Sequence, residues 1–267
     1  MQAPAHCYID ESIHESLGFV ALAFVFTEDE PTAVVSKALT EAGIGEFKSG
    51  ARMATNPRMQ QAREELFTAI NNHARIAVVF APHHVFVRSP LGKQLLQALQ
   101  SVLIRNGIRP QGLTLHIDEG IFTSALEAKR LIGIFRFLGP AEFRSAEASH
   151  ECLGIQLADL VSHTFAQIVR EALTGTRKEV DVGGADTGYA DGTRMELGVA
   201  LLMSIRHAIL ARRMVAEGDD FDPATDPVIL GPDDDQSSTV SSPRRLGGGC
   251  RWLQNHPKGS VVPSARC

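Results

Sequence analysis

Cys7-Tyr8-Ile9-Asp10-Glu11-Ser12 is a short run of strand-forming residues that ends in two acidic side chains. Tyrosine and isoleucine favour a pleated, half-buried surface. Alternation along a strand puts Tyr8 and Asp10 on one face and Cys7 and Ile9 on the other. A strand this early in a chain is commonly central to its sheet, so a carboxylate on it is easily buried and then needs compensation. The apolar run 18–26 follows after a polar turn. It predicts a second strand, covered on both faces and paired antiparallel to the first.

Working outward, residues 31–42 read as a helix stopped by Gly43, followed by the glycine-flanked polar segment Gly45-Glu46-Phe47-Lys48-Ser49-Gly50. Asn56 and Pro57 form a helix start, and Met59, Ala62, Leu66 and Ile70 give its apolar stripe. Residues 75–81 predict a buried strand. Ser89-Pro90 opens a helix with Leu95, Leu99, Val102 and Leu103 inward and Asn106-Gly107 as its stop. Residues 112–118 predict another strand, and Ser124 with Glu127 has capping-box spacing for the next helix. A short strand at 142–148, a long helix at 152–173, a loop at 175–192 and a final helix at 196–215 complete the order. The pattern predicts one α/β domain with a mixed sheet over residues 1–217. Residues 218–267 hold Asp233-Asp234-Asp235, a serine-rich patch, a triple glycine and scattered prolines. With so few aliphatics they are expected to be a disordered tail.

At 44% hydrophobic and 21% charged residues, the composition is that of a globular chain with a core. The net charge of −5 lends no general support to a nucleic-acid partner, although local patches and bound metal can override a total. No apolar run reaches membrane-span length and no signal-peptide pattern opens the chain, so an intracellular, cytoplasmic protein is expected. Cys7, Cys152, Cys250 and Cys267 lack paired spacing; Cys7 and Cys152 read as small buried residues. A nucleophile elbow, a Walker loop, a dinucleotide fingerprint and a zinc-protease spacing for His83, His84 or His116 are all missing from the sequence.

Two later acidic residues share the character of Asp10. Asp118 ends a strand whose alternation sets Thr114, His116 and Asp118 on one face; a turn role before Gly120 would equally explain it. Asp159 lies within the helix marked by Leu153, Leu157, Leu160, Val161 and Phe165, with Gln156 and His163 on its own side. Aspartate has poor helix propensity, which invites a reason for its presence, and an edge position facing solvent would be one. Ala158, Ser162 and Ala166 form a small-residue strip that lets another element approach closely.

Together, Tyr8-Ile9-Asp10-Glu11-Ser12, Ile117-Asp118-Glu119 and Gly154-Ile155-Gln156-Leu157-Ala158-Asp159-Leu160 resemble the domain-of-unknown-function family 3800, a branch of the ribonuclease-H-like superfamily. The resemblance spans roughly residues 6–175, and Glu46-Phe47-Lys48-Ser49 is similar to its Glu-x-Lys-Ser segment. Two features depart from the pattern: Ile13 stands where a small residue follows Asp-Glu-Ser, and the opening meander shows two strands where such a sheet has three. The resemblance implies a ribonuclease-H-like mixed β-sheet flanked by helices. It implies that Asp10, Asp118 and Asp159 hold Mg²⁺ or Mn²⁺, with Glu46 as a fourth catalytic carboxylate; hard, small cations favour such oxygens. Lys48 is then a candidate phosphate contact, with a solvated loop lysine as the plain alternative, and His163 either a proton shuttle or a surface histidine. Glu11 and Glu119 are expected to point away from their Asp neighbours and so rank as second-choice ligands. Arg52, Arg58 and Arg63 read as a solvated helix face. The function so implied is a metal-dependent nuclease acting on DNA or RNA. The alternative is a non-catalytic interaction module that keeps the fold.

Overall fold

The opening hairpin forms as its alternation requires. In the computed structural model, which describes residues 3–50, 55–84, 90–184 and 188–210 and the backbone of 229–230, β1 (His6–His14) runs antiparallel to β2 (Phe19–Thr27). Gly18 makes the turn at φ 75°, a left-handed conformation open to glycine at little cost. The chain then forms α1 (Thr32–Ala42) and α2 (Pro57–His73), the latter capped by the Asn56 side chain accepting from the Met59 N–H. β3 (Ala74–Pro82) returns antiparallel to β2. It supplies the third meander strand, delayed by two intervening helices, which is why the opening of the sequence shows only two; residues 45–50 form no strand.

From there the sheet grows on its other side. After α3 (Leu91–Asn106), β4 (Thr114–Asp118) lies parallel to β1. After α4 (Ala125–Ile134), β5 (Glu142–Glu147) lies parallel to β4. The order is β5-β4-β1-β2-β3, with three antiparallel strands followed by parallel ones, which is the ribonuclease-H-like arrangement. α5 (Gly154–Thr174) crosses the sheet. The expected loop at 175–192 is partly a ribbon, β6 (Glu179–Asp181) against β7 (Arg194–Glu196), and the last helix, α6 (Leu197–Ile205), is shorter than expected. It stops because the chain turns to lie along β3, the Leu210 N–H donating to the Ile76 carbonyl at 2.7 Å. Ile229–Leu230, as β8, pairs parallel to β3. Arg52, Ser89, Ala185-Asp186, residues 211–215 and the rest of the expected tail lie outside the described residues.

Strand alternation divides the core in two. Tyr8, Ala21, Ala23, Val25, Ile76 and Val78 meet α1, α2, α5 and α6 on one face. Cys7, Ile9, Leu22, Phe24, Leu115 and Ile117 meet α3 and α4 on the other. The strip Ala158, Ser162 and Ala166 is fully buried, and β2 offers Ala21 and Ala23 to the same core, so α5 sits close to the sheet. Among the described residues no helix is long and apolar enough to cross a membrane.

The closest seat is at the start of α5. A Cβ on Gly154 would lie 2.2 Å from Tyr8 Cε1, and Tyr8 is itself packed into the core. A rigid aromatic ring in a dense interior cannot yield without moving the helix. Gly154→Ala is therefore expected to lower stability by about 1–3 kcal/mol, read from the urea unfolding midpoint.

Candidate metal centre

Register puts the first two aspartates side by side. β1 and β4 pair Tyr8 with His116 and Ile9 with Ile117, so Asp10 lies next to Asp118 where β4 ends. α5 packs on this same face and brings in Asp159. Asp10, only 7% exposed, is pushed well above the usual carboxylate range by burial, then by the charges of Glu11, Asp159 and Asp118. Asp118 is pushed up to about 6, mainly by burial; the Glu119 backbone N–H and the Lys48 charge pull the other way, while Glu119 and Asp159 add to the rise.

Glu11, ranked second on alternation, still feels the charge of Asp118 and Asp159. Its carboxyl is pushed up to about 7 by burial first, then by Asp118, with Asp159 further down, and its Oε2 is buried without a hydrogen-bond partner. The last β1–β4 pair is Ile9 with Ile117, so β1 outruns β4 and Glu11 lies beyond the paired stretch of the two strands.

Residues 44–50 close the site as a strap. Phe47 is fully buried and anchors it in the core. The Phe47 N–H donates to Gln156 Oε1 at 2.8 Å and the Ser49 N–H to Asp159 Oδ2 at 2.9 Å. Gln156 Nε2 donates to the Ser149 carbonyl at 2.9 Å. Lys48 Nζ donates to Ser149 Oγ at 2.8 Å, and that hydroxyl donates to Glu46 Oε1 at 2.6 Å. Glu46 is thus engaged with Ser149 and Lys48, the ammonium 3.0 Å from it. The Ser149 hydroxyl, opposed by slight burial and joined by Lys48, holds Glu46 below its usual range. Partial burial lowers Lys48, but Glu46, with Asp159 and Asp118 beyond it, outweighs that and holds the ammonium above its usual range. Gln156 was visible within its motif, whereas nothing in the sequence singled out Ser149. His163 Nε2 stands 3.6 Å from Asp159 Oδ1, one helical turn along. Ile13 is 49% exposed, so the departure from a small residue there puts no bulk into the site. Arg58 reaches the Gly43 carbonyl at 3.5 Å and Arg63 is part-buried on α2, with its Nε unpartnered, rather than on a solvated face.

The donor types suit a small, hard divalent cation: all are carboxylate oxygens, Asp10 is nearly enclosed and Glu11 Oε2 is buried without a hydrogen-bond partner. Their oxygens stand farther apart than a closed ligand cluster, since among the described residues only His116, Glu147 and Cys152 bring three donor atoms within 4.8 Å of one another.

A second polar group adjoins on the same face. His116, 2% exposed, has Nδ1 2.7 Å from Glu147 Oε2 and 3.6 Å from Cys152 Sγ. Cys152 is therefore not merely a small buried residue; burial first, with Glu147, pushes its thiol up to about 12. Cys7, by contrast, is fully buried as expected.

No protein-family model matches the chain, and the curated proteins give no match. Among solved structures, a chain from the PCNA:RNase HII complex of Archaeoglobus fulgidus is similar at 16% identity, with a TM-score of 0.43, over 64% of this chain and 76% of that one.

Proposed function

We propose that this chain is a divalent-metal-dependent nuclease of the ribonuclease-H-like kind, related to the family-3800 domains that its motifs resemble. The observation that supports the reading is that Asp10 and Asp118 lie at adjoining positions of β1 and β4, that α5 with Asp159 packs on the same face, and that Asp10 feels the charge of both other aspartates. Asp10, Glu11, Asp118 and Asp159 would hold Mg²⁺ or Mn²⁺. Such an ion activates water and stabilises the departing oxygen of a phosphodiester. The strap fixes Asp159 through the Ser49 N–H, and Lys48 offers an ammonium to a phosphate that the carboxylates alone would repel. Glu46 orients Lys48 rather than joining the ligands.

The test pairs melting with cleavage of labelled DNA and RNA, single- and double-stranded. Mn²⁺ is expected to raise the melting temperature of the intact chain and to switch on cleavage. Asp10→Asn and Asp159→Asn should each abolish the metal-induced rise and slow cleavage by about a thousandfold, the equivalent of roughly 4 kcal/mol of transition-state stabilisation. An intact chain that ignores Mg²⁺ and Mn²⁺ would overturn the nuclease reading and leave an interaction module.

A further inference from the structure

We propose that His116, Glu147 and Cys152 form a second cation site, selective for a borderline transition-metal ion such as Zn²⁺ over Mg²⁺ and separate from the carboxylate centre. The three donor atoms, a nitrogen, an oxygen and a sulfur, all lie within 4.8 Å of one another. Imidazole and thiolate are donors that Zn²⁺ or Co²⁺ accepts and Mg²⁺ does not.

The surroundings are built for this group. β4 holds His116 rigidly, and its ring stacks on Tyr8 at a centroid distance of 4.5 Å. His116 Nε2 is 3.2 Å from His6 Nδ1, which leaves Nδ1 facing Glu147 and Cys152. A partner on the far ring nitrogen is the usual way a metal-binding histidine is oriented.

Glu147 reaches the group only through a backbone irregularity. β5 pairs Ser145 with Ile117 but Glu147 with Asp118, so Ala146 is an extra residue. Without it, alternation would send Glu147 to the Ile117 face. Ala146 sits at φ 64°, the one non-glycine residue at positive φ among those described. Such strain costs of order 1–3 kcal/mol and collects where a side chain must be re-aimed.

The spacing also suits an ion. Zn–N and Zn–O bonds of about 2.0–2.1 Å and a Zn–S bond of about 2.3 Å, at tetrahedral angles, need donors about 3.3–3.6 Å apart. His116 and Cys152 are already 3.6 Å apart, and the 2.7 Å gap between His116 and Glu147 opens by rotation of the part-exposed glutamate. Three protein ligands leave the fourth position open, as in exchangeable rather than purely structural sites.

The probe is Co²⁺, titrated into the full chain after chelator treatment. The expected result is a thiolate-to-cobalt charge-transfer band that saturates at one equivalent, is bleached by Zn²⁺ and survives excess Mg²⁺. The band should persist in the double variant Asp10→Asn, Asp159→Asn and vanish in Cys152→Ser, whose circular dichroism and Mn²⁺-induced melting shift should match the intact chain. His6→Ala and Glu147→Gln should each weaken Co²⁺ binding about tenfold or more. Three outcomes would overturn the site: no band in the intact chain, a band that persists in Cys152→Ser, or unchanged affinity in Glu147→Gln. None of these depends on whether the carboxylate centre cleaves nucleic acid.

Discussion

With chelator present, Glu11→Gln is expected to stabilise the chain at pH about 8 by roughly 3 kcal/mol and to leave it nearly unchanged at pH about 4.5. The sign follows from the direction of the shift. Glu11 is pushed up to about 7 by burial and by Asp118, whereas in the unfolded chain it titrates near the ordinary value of about 4.3. Between those values the folded state binds more protons than the unfolded one, so stability falls as pH rises. The penalty is absent below the ordinary carboxylate range and complete above about 7. Asp10 and Asp118 act in the same direction, although Asp118, only partly buried, contributes less because water screens it. His6 and His14, which burial holds below the usual histidine range, act in the opposite direction as pH falls. Comparing the intact chain with Glu11→Gln cancels the histidines. Urea midpoints across this pH range provide the measurement. A difference that is flat with pH would mean that Glu11 is neither buried nor crowded by Asp118 in the folded chain. Saturating Mn²⁺ should shrink or reverse it, since the ion requires these groups ionised.

Gln156→Leu should be among the most damaging single changes in the domain. Gln156 is fully buried, and both ends of its amide are used, one by the Phe47 N–H and the other by the Ser149 carbonyl. Leucine fills a comparable volume but leaves those two backbone groups without partners. Each buried orphan costs about 1–3 kcal/mol, so a loss of about 2–5 kcal/mol is expected. In a domain of this size that corresponds to a melting point lower by roughly 10 °C. The same substitution unties residues 44–50 from α5 and with them the Ser49 N–H that fixes Asp159. The variant that still folds should therefore bind Mn²⁺ more weakly than intact chain, measured by isothermal titration. A melting point unchanged to within a degree or two would mean that the strap is not held by this side chain.

Strand alternation was sufficient to put Asp10 and Asp118 on the face that carries Tyr8 and His116, but only the resemblance joined them to Asp159. The helical stripe was legible too, since Leu157, Leu160 and Val161 all pack into one core. What alternation hides is termination and irregularity. β1 runs on past the end of β4, which leaves Glu11 without a β4 partner, and Glu147 turns to the His116 face because Ala146 is an extra residue in β5. Neither event has a local sequence signature. β3 was legible as a strand but not as the third member of the meander, since α1 and α2 separate it from β2. The β6–β7 ribbon pairs over three residues on each side, too few to show periodicity among glycines and aspartates.

The separation of the strap from its anchor bears on how the molecule assembles. Phe47 and Gln156 are 109 residues apart, and Ser49 and Asp159 are 110 apart. The hairpin of β1 and β2 is local and closes cheaply, whereas the carboxylates meet only after loops of about a hundred residues have closed. Their mutual repulsion therefore arises late, after most of the apolar surface has been covered. Neutralising Glu11 should consequently slow unfolding far more than it speeds folding, so that the unfolding arm of the chevron moves and the folding arm stays nearly in place.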